Sequence, residues 1–363
     1  MTFPCGQVYG TNRAEVNIGD SSPHRKPLPG KPSRKGMQIP DSDGDPWRRL
    51  PVPESCRRVF TLIFIVSAMT VLPPRLGSEE VSPPAVVMQV EGGEIHITPP
   101  DEQLKVSSQD LQEWVRSAAG AVVHYYGHFP VPQVTLQIRA GRRNGVSRGV
   151  TYAKGGGLIT VKVGLGTETD ALKDDWVLTH EMIHLAFPSM AENHHWIEEG
   201  ISTYVEPVAR AQADQFPVAG VWKQFILDMP KGQPAPGDRG LDQTPTWGRT
   251  YWGGAMFCLV ADVQIRERTR NRKGLQDSLR AILNQGGVIT QDWKIERAFA
   301  IGDRATGTDV LQSLYQEMRD KPAPVDLEQL WQKLGVALKD GEVVFNDNAV
   351  DAAIRRAIVS PPH

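Results

Sequence analysis

Three cysteines in 363 residues are too few for a disulfide framework, and at positions 5, 56 and 258 they leave no Cys-based zinc site. Cys258 falls in an apolar helical pattern, where a free buried thiol is expected. An excess of one charge is also missing. Forty basic residues against 42 acidic ones leave a formal net charge of -2. No basic stripe with interleaved aromatics occurs, so no nucleic-acid partner is expected. The signal-like apolar run over 59–72 has 14 residues, short of the ~20 that span a bilayer. No internal repeat is present. What remains is ordinary for a soluble globular protein: 40% apolar and 23% charged residues, in a chain long enough for one large domain or two modest ones.

Residues 1–58 are rich in Pro, Gly, Ser and Arg and lack periodicity, so they cannot bury enough apolar surface to fold alone. Residues 1–80 are expected to be a disordered leader. Within it, the run 59–72 follows Arg57 and Arg58 as a signal h-region follows its positive segment. The stretch SCRRVFTL resembles a twin-arginine export signal. A signal so far from Met1 suggests a start assigned too early, with Met37 as the truer one. The expectation is a bacterial chain exported to the periplasm or beyond, attached to the membrane through 59–72 if that segment is not cleaved.

Beyond Ser82 the patterns sharpen. VVMQVEGGEIHITP reads as a hairpin turned at Gly92-Gly93. Leu111, Val115, Ala118, Val122 and Tyr125 recur at helical spacing and predict a helix over 109–126. Val134, Leu136 and Ile138 alternate as in a half-buried strand, and Ile159, Val161 and Val163 repeat the pattern after a Gly/Arg-rich loop. Helices dominate afterwards, signalled by Leu275/Leu279/Ile282, by Val310/Leu314/Met318, by Leu327/Leu330/Leu334 stopped at Gly335, and by a final stretch over 349–358. Residues 231–248 read as a mobile loop beside a cleft.

One segment concentrates chemistry. HEMIHLAFPSMAENHHWIEEG, residues 180–200, holds four histidines and four glutamates in 21 residues. Leu172, Trp176, Thr179 and Ile183 step by four, three and four, which predicts a helix over 170–187 ended by Pro188. His180 and His184 are i and i+4 on it, one turn apart, so both imidazoles can reach one ion at ~2.0–2.1 Å. Glu181 points roughly 100° around the axis, off the ion but within reach of a water on it. H-E-x-x-H therefore reads mechanically as two ligands and a general base. A catalytic zinc needs a third protein ligand and an open position. WIEEGISTYVEP offers the acidic pair Glu198 and Glu199 on a second helix, with Ile197, Ile201, Tyr204 and Val208 as its buried stripe. The stripe alone does not separate the two glutamates.

The block resembles the gluzincin (MA clan) zinc metallopeptidases. In their aminopeptidase N family the second helix reads W-L-N-E-G-F-A-S-Y-V-E, against Trp196-Ile197-Glu198-Glu199-Gly200-Ile201-Ser202-Thr203-Tyr204-Val205-Glu206 here. The resemblance implies that the glutamate before the glycine, Glu199, is the third zinc ligand. It further implies that Tyr251, in a Y-x-x-G segment with Gly254 and Ala255, hydrogen-bonds the oxyanion. The 14 residues between His184 and Glu199 are fewer than is usual in that family, and smaller glycyl-aminopeptidase-like and peptidase-MA-like proteins are similar too. The implied fold is α+β, a thermolysin-like zincin with a small N-terminal mixed sheet, an HExxH active-site helix and a C-terminal helical lobe. The implied division is an N-terminal lobe over 81–205 and a mostly helical lobe over 206–363. The implied activity is hydrolysis of a peptide or protein substrate by a zinc-activated water, with Glu181 as general base.

Departures from the pattern also inform. Relatives of aminopeptidase N anchor the substrate amine with a glutamate on an edge strand before HExxH, whereas residues 147–166 contain no acid. This puts exopeptidase action in doubt. Gly155, Gly156 and Gly157 let a peptide backbone approach, or simply form a flexible loop. A metzincin would carry Gly and His where Phe187 and Met190 stand, which excludes that class. His124 and His128 read as a helix terminus, while His194 and His195 remain open as ligands or substrate contacts. Two rival functions stand beside the peptidase: an idle peptidase-like domain that binds peptides or scaffolds, and a zinc hydrolase of a non-peptide amide or epoxide. Retention of both Glu181 and Tyr251 argues against the idle domain, because a binding module needs neither.

Overall fold

The computed structural model describes residues 86–361. The leader over 1–80, with its segment 59–72, lies outside the described residues, as do Cys5 and Cys56. The described chain begins with a hairpin, β1 (Val86–Val90) and β2 (Gly93–Thr98), turned where Gly92 takes φ 95°. Helix α1 (Ser108–Tyr126) follows. Its N-cap, Ser107, accepts a hydrogen bond from the Asp110 amide at 3.1 Å, and Gly127 ends it in the left-handed region. Then β3 (Gln133–Gly141), β4 (Val146–Tyr152) and β5 (Leu158–Gly164) complete a five-stranded sheet in the order β1-β2-β3-β5-β4. Strands β2, β3 and β5 are parallel, and β1 and β4 lie antiparallel on the two edges. Parallel neighbours cannot be joined by a tight turn, and α1 is the crossover between β2 and β3. The alternating Val134, Leu136, Ile138, Ile159, Val161 and Val163 are buried in one core with Val115, Ala118 and Val122 of α1.

Edge strand β4 was read in the sequence as part of a Gly/Arg-rich loop. Its residues are half-buried or exposed and show no clean alternation, so the period-2 signal is absent although the pairing with β5 is made. A register shift between Val146 and Arg148 bends it, as bulges do at sheet edges beside functional sites.

The helix predicted over 170–187 is two: α2 (Thr169–Lys173) and α3 (Val177–His184). Asp175 causes the break. Its carboxylate accepts from the amides of Val177 at 3.0 Å and Leu178 at 3.1 Å and from Trp114 Nε1 at 3.0 Å. A side chain that satisfies the first amides of a new helix starts that helix there. Seven of the eight residues of α3 are buried, so this is an interior helix rather than an amphipathic surface one.

Helix α4 (His195–Gln212) packs on α3, and α5 (Val218–Asp228) follows it. A π-helical turn, Gly248–Gly253, leads into α6 (Gly254–Thr269). The remainder is α7 (Leu275–Asn284), α8 (Ile295–Thr306), α9 (Val310–Met318), α10 (Leu327–Leu334), the hairpin β6 (Val336–Lys339) and β7 (Glu342–Phe345), and α11 (Ala352–Val359). Thus α11 starts three residues later than the stretch expected over 349–358. Residues 231–248 are tied down: Asp238 and Leu241 are buried, and Asp242 accepts from Trp196 Nε1 at 2.7 Å and from Tyr315 Oη at 2.8 Å. Among the described residues no helix is long and apolar enough to cross a membrane.

Helices α4 and α6 cross with their backbones in close approach. A Cβ on Gly200 would lie 2.4 Å from Gly254 Cα, and one on Gly254 would lie 2.1 Å from the carbonyl oxygen of Trp196. Both obstacles are backbone, which cannot step aside as a side chain would. Gly200→Ala should therefore destabilise the protein by about 2–3 kcal/mol through overpacking. Gly120→Ala should stabilise it by about 0.5–1 kcal/mol, since that Cβ, in the middle of α1, meets only Gln215 Nε2 at 3.9 Å. Urea titration of the two variants measures both signs.

Candidate metal centre

Two helices pack together and each brings part of one cluster. Helix α3 supplies His180 and His184, whose rings stand edge-on with centroids 5.0 Å apart. Helix α4 supplies Glu199. Its Oε2 lies 3.1 Å from His180 Nε2 and 3.5 Å from His184 Nε2. One donor atom from each of the three lies within 4.8 Å of the others. Tetrahedral ligands held at ~2.1 Å from an ion are themselves ~3.4 Å apart, and the separations of 3.1 and 3.5 Å bracket that value. Two imidazole nitrogens and one carboxylate oxygen make a donor set that suits zinc. The residues therefore fit the metal that the sequence resemblance implies.

Electrostatics point the same way. Burial pushes the Glu199 carboxyl upward, but the charge of His184 and the hydrogen bonds of His180, His184 and His195 outweigh it and hold the group well below 4.5. His184 is the mirror image: burial lowers it, and Glu199, joined by the charges of Glu181 and Glu198, lifts it above 6.5. An anion this deep demands a cation beside it.

Glu181, the other expected functional residue on α3, turns away from this trio. Its Oε2 accepts from Thr151 Oγ1 at 2.6 Å, and Thr151 Oγ1 also reaches its backbone carbonyl oxygen at 2.9 Å. The side chain lies across β4 where Gly149 leaves room, since a Cβ there would be 2.4 Å from Glu181 Cγ. The edge strand missed in the sequence thus holds and shapes the bed for Glu181. Thr151 lies in the stretch 147–166, which contains no acid, and a lone threonine there carries no motif that would single it out.

Tyr251 rides on the π-helical turn. Its ring stacks over His180, with centroids 6.4 Å apart and planes 22° apart, and against Trp247 at 6.0 Å. The turn is locked from behind by close backbone contact: a Cβ on Gly232 would fall 2.3 Å from Gly253 N, and one on Gly248 2.3 Å from the Lys231 carbonyl oxygen. Arg249 anchors it further through a buried pair with Asp238 at 2.8 Å. Single π-turns inserted in helices recur at functional sites.

A cleft opens beside His180 and Tyr251. Its walls include Trp176, Phe216, Trp247 and Trp252, and Glu206 and Arg210 form a buried pair there at 2.8 Å. Glu206 was not singled out in the sequence, although its spacing of seven from Glu199 and four from Arg210 places it two turns further along α4 with a partner one turn beyond. Burial raises its carboxyl, against the pull of Arg210 and His180.

The other histidines separate. His194 turns to Tyr315 Oη at 3.0 Å and Asp242 at 3.4 Å, away from the trio. His195 borders Glu199 without joining the three-residue group. His128 bonds the Phe129 carbonyl oxygen and Asn284, and among the described residues no acid gathers with it and His124. Gly155–Gly157 form a short turn with positive φ at all three glycines. Glu198 accepts from the Met190 amide at 3.2 Å instead of facing the histidine pair, so Glu199 is the glutamate that meets them.

The chain matches no protein-family model and no curated protein sequence. It is similar in structure to an aminopeptidase N family protein from Idiomarina loihiensis, with a TM-score of 0.54 at 12% identity, over 70% of this chain and 49% of that one. An M1 zinc metallopeptidase from Deinococcus radiodurans aligns at a TM-score of 0.43 and 14% identity, over 66% and 52%. A variant from the same organism, bound to a Tyr-Ser-Ala substrate, gives 0.45 and 14% over the same shares. The chain spans about half the length of the structures it matches. Its α+β fold, with a small N-terminal sheet and a helical C-terminal part, is that of the Idiomarina protein.

The cluster has a definite pH signature in the metal-free protein. Glu199 is depressed, so its contribution to stability is present above about 4.5 and is lost as pH falls through its lowered pKa. His184 is raised, and His195 is pushed up to about 10 by Glu198 and Glu199, so their contribution is present below 6.5 and fades as pH rises past it. Chelator-treated protein should thus draw most stability from this cluster between pH 4.5 and 6.5. Added zinc should reverse the trend, stabilising more at about pH 8 than at about pH 6, because ligating imidazoles must shed their protons. Urea midpoints with and without zinc at the two pH values check it.

Proposed function

We propose that the protein is a zinc-dependent metallopeptidase. The observation that carries this reading is the convergence of His180 and His184 with Glu199 from a second helix, while Glu181 on the same turn is held apart by Thr151. His180, His184 and Glu199 would hold the metal. Zinc bound there supplies a Lewis acid and brings the pKa of a water down to ~7.

The protein's own groups do the rest. Glu181, fixed in orientation by Thr151, takes a proton from the attacking water and later passes it to the leaving amine. Tyr251 lends its hydroxyl to the oxygen that turns negative as the carbonyl carbon becomes tetrahedral. Its locked turn means that little reorganisation is needed at that moment. The aromatic walls of the cleft give a substrate side chain an apolar place to lie. The signal-like sequence over 59–72 supports an exported enzyme, so the substrate would be an extracytoplasmic peptide or protein.

Glu181→Gln keeps the shape of the side chain and removes the base. Turnover of a peptide library should fall by about 10²–10⁴-fold with zinc content unchanged. Tyr251→Phe should lower kcat by about 10²–10³-fold. Equal cleavage by wild type and Glu181→Gln would sink the mechanism. Zinc binding without cleavage of any peptide would favour a binding domain or a hydrolase of another amide, and a screen of non-peptide amides separates those two.

A further inference from the structure

Glu199 offers its two oxygens to different neighbours. Oε2 faces the histidine pair, at 3.1 and 3.5 Å. Oε1 faces His195 Nε2 at 3.3 Å. The other nitrogen of that ring, Nδ1, lies 3.2 Å from Glu198 Oε2, and Glu198 Oε1 in turn accepts from the Met190 amide at 3.2 Å. A line of polar contacts thus runs from the connection between α3 and α4, through Glu198 and His195, to the back of Glu199. His195 and Glu199 are i and i+4 on α4, so the helix itself sets the reach between them.

We propose that His195, braced by Glu198, is a positioning residue that engages Glu199 Oε1 and leaves Oε2 as the one oxygen turned to the ion. The inference rests on the metal-site reading given above. Its physical basis is the soft terminal torsion of glutamate, which is broad and nearly two-fold and lets an untethered carboxylate swap or share its oxygens. A hydrogen-bonding partner on the far oxygen removes that freedom before the metal arrives. Partners of this kind typically change metal affinity by about 10–100-fold. The assignment also divides the labour of the adjacent glutamates: Glu199 faces the ion and Glu198 holds the group that orients it. His195 faces the oxygen of Glu199 opposite to the one that meets the histidine pair, and it lies outside the three-residue group.

The test is the zinc dissociation constant of the full chain, measured by competition with a chromophoric chelator at fixed pH. His195→Ala should bind zinc about 10–100-fold more weakly than wild type. His195→Gln, which keeps an amide donor at similar reach, should recover part of the loss. His128→Ala, remote from the cluster, should match wild type. The His195 side chain is 55% exposed, so thermal melting of the metal-free variants should show folded protein and separate weaker binding from unfolding. Equal dissociation constants for wild type and His195→Ala would overturn this inference and leave the hydrolase reading standing. A glutamine variant as weak as alanine would overturn the hydrogen-bonding role. A wild type that binds no zinc would overturn both together.

Discussion

A carboxylate buried between two imidazoles is the constraint on which the rest of this molecule turns. Glu199 is 8% exposed, and its partners come from a different helix. Removing one member of such a buried charged set typically costs about 3–5 kcal/mol, because the survivor is left desolvated without compensation. The cluster therefore penalises any slip of α3 against α4. The core around it is ordinary close packing, with Leu178, Met182 and Ile183 of α3 and Tyr204 and Val205 of α4 fully buried. Packing of that kind tolerates small shifts, whereas two nitrogens aimed at one oxygen do not. The polar centre specifies the crossing, and the apolar shell supplies most of the stability.

Polar groups behind the cluster extend that order outward. Asp175 starts α3 at the residue that puts His180 on the inner face, and Trp114 of α1 holds Asp175 in turn. On the sheet side, Thr151 and Gly149 do for Glu181 what a pocket does for a ligand: one supplies a donor and the other supplies space. On the helical side, Asp242 fastens the segment before the π-turn to both Trp196 and Tyr315. Glu181 and the histidine pair on α3, Glu199 on α4 and Tyr251 on the π-turn are thus each held by elements that buried hydrogen bonds or ion pairs brace.

The three residues that the structure brings together were legible in the sequence, and their supports were not. His180 and His184 announce themselves by a spacing that only a helix turns into proximity. Glu199 needed more, because helical periodicity treats Glu198 and Glu199 alike, and it was the glycine after Glu199 that matched a known pattern. The core strands could be read from Val134, Leu136 and Ile138 because one face is buried and the other is not. Strand β4 could not, since neither of its faces is fully buried. The break between α2 and α3 was invisible for a different reason. An aspartate at position 175 suits a helix surface as well as a cap, and the choice is made by Trp114, which lies 61 residues away. Contacts over such separations leave no local periodicity to detect.

Gly200 and Gly254 explain why two short patterns far apart in the chain belong together. Gly200 follows the candidate ligand directly, and Gly254 stands three residues after Tyr251. The two glycines meet at the crossing of α4 and α6, where neither has room for a Cβ. A larger residue at either place would drive the helices apart and carry Glu199 and Tyr251 with them, because each is within one turn of the contact. Surface loops, the cleft walls and most of the core can vary without moving that point. At 12% identity to the Idiomarina protein, most side chains differ while the fold is held. The contact between α4 and α6 depends on the absence of side chains at two positions more than on the identity of those around them.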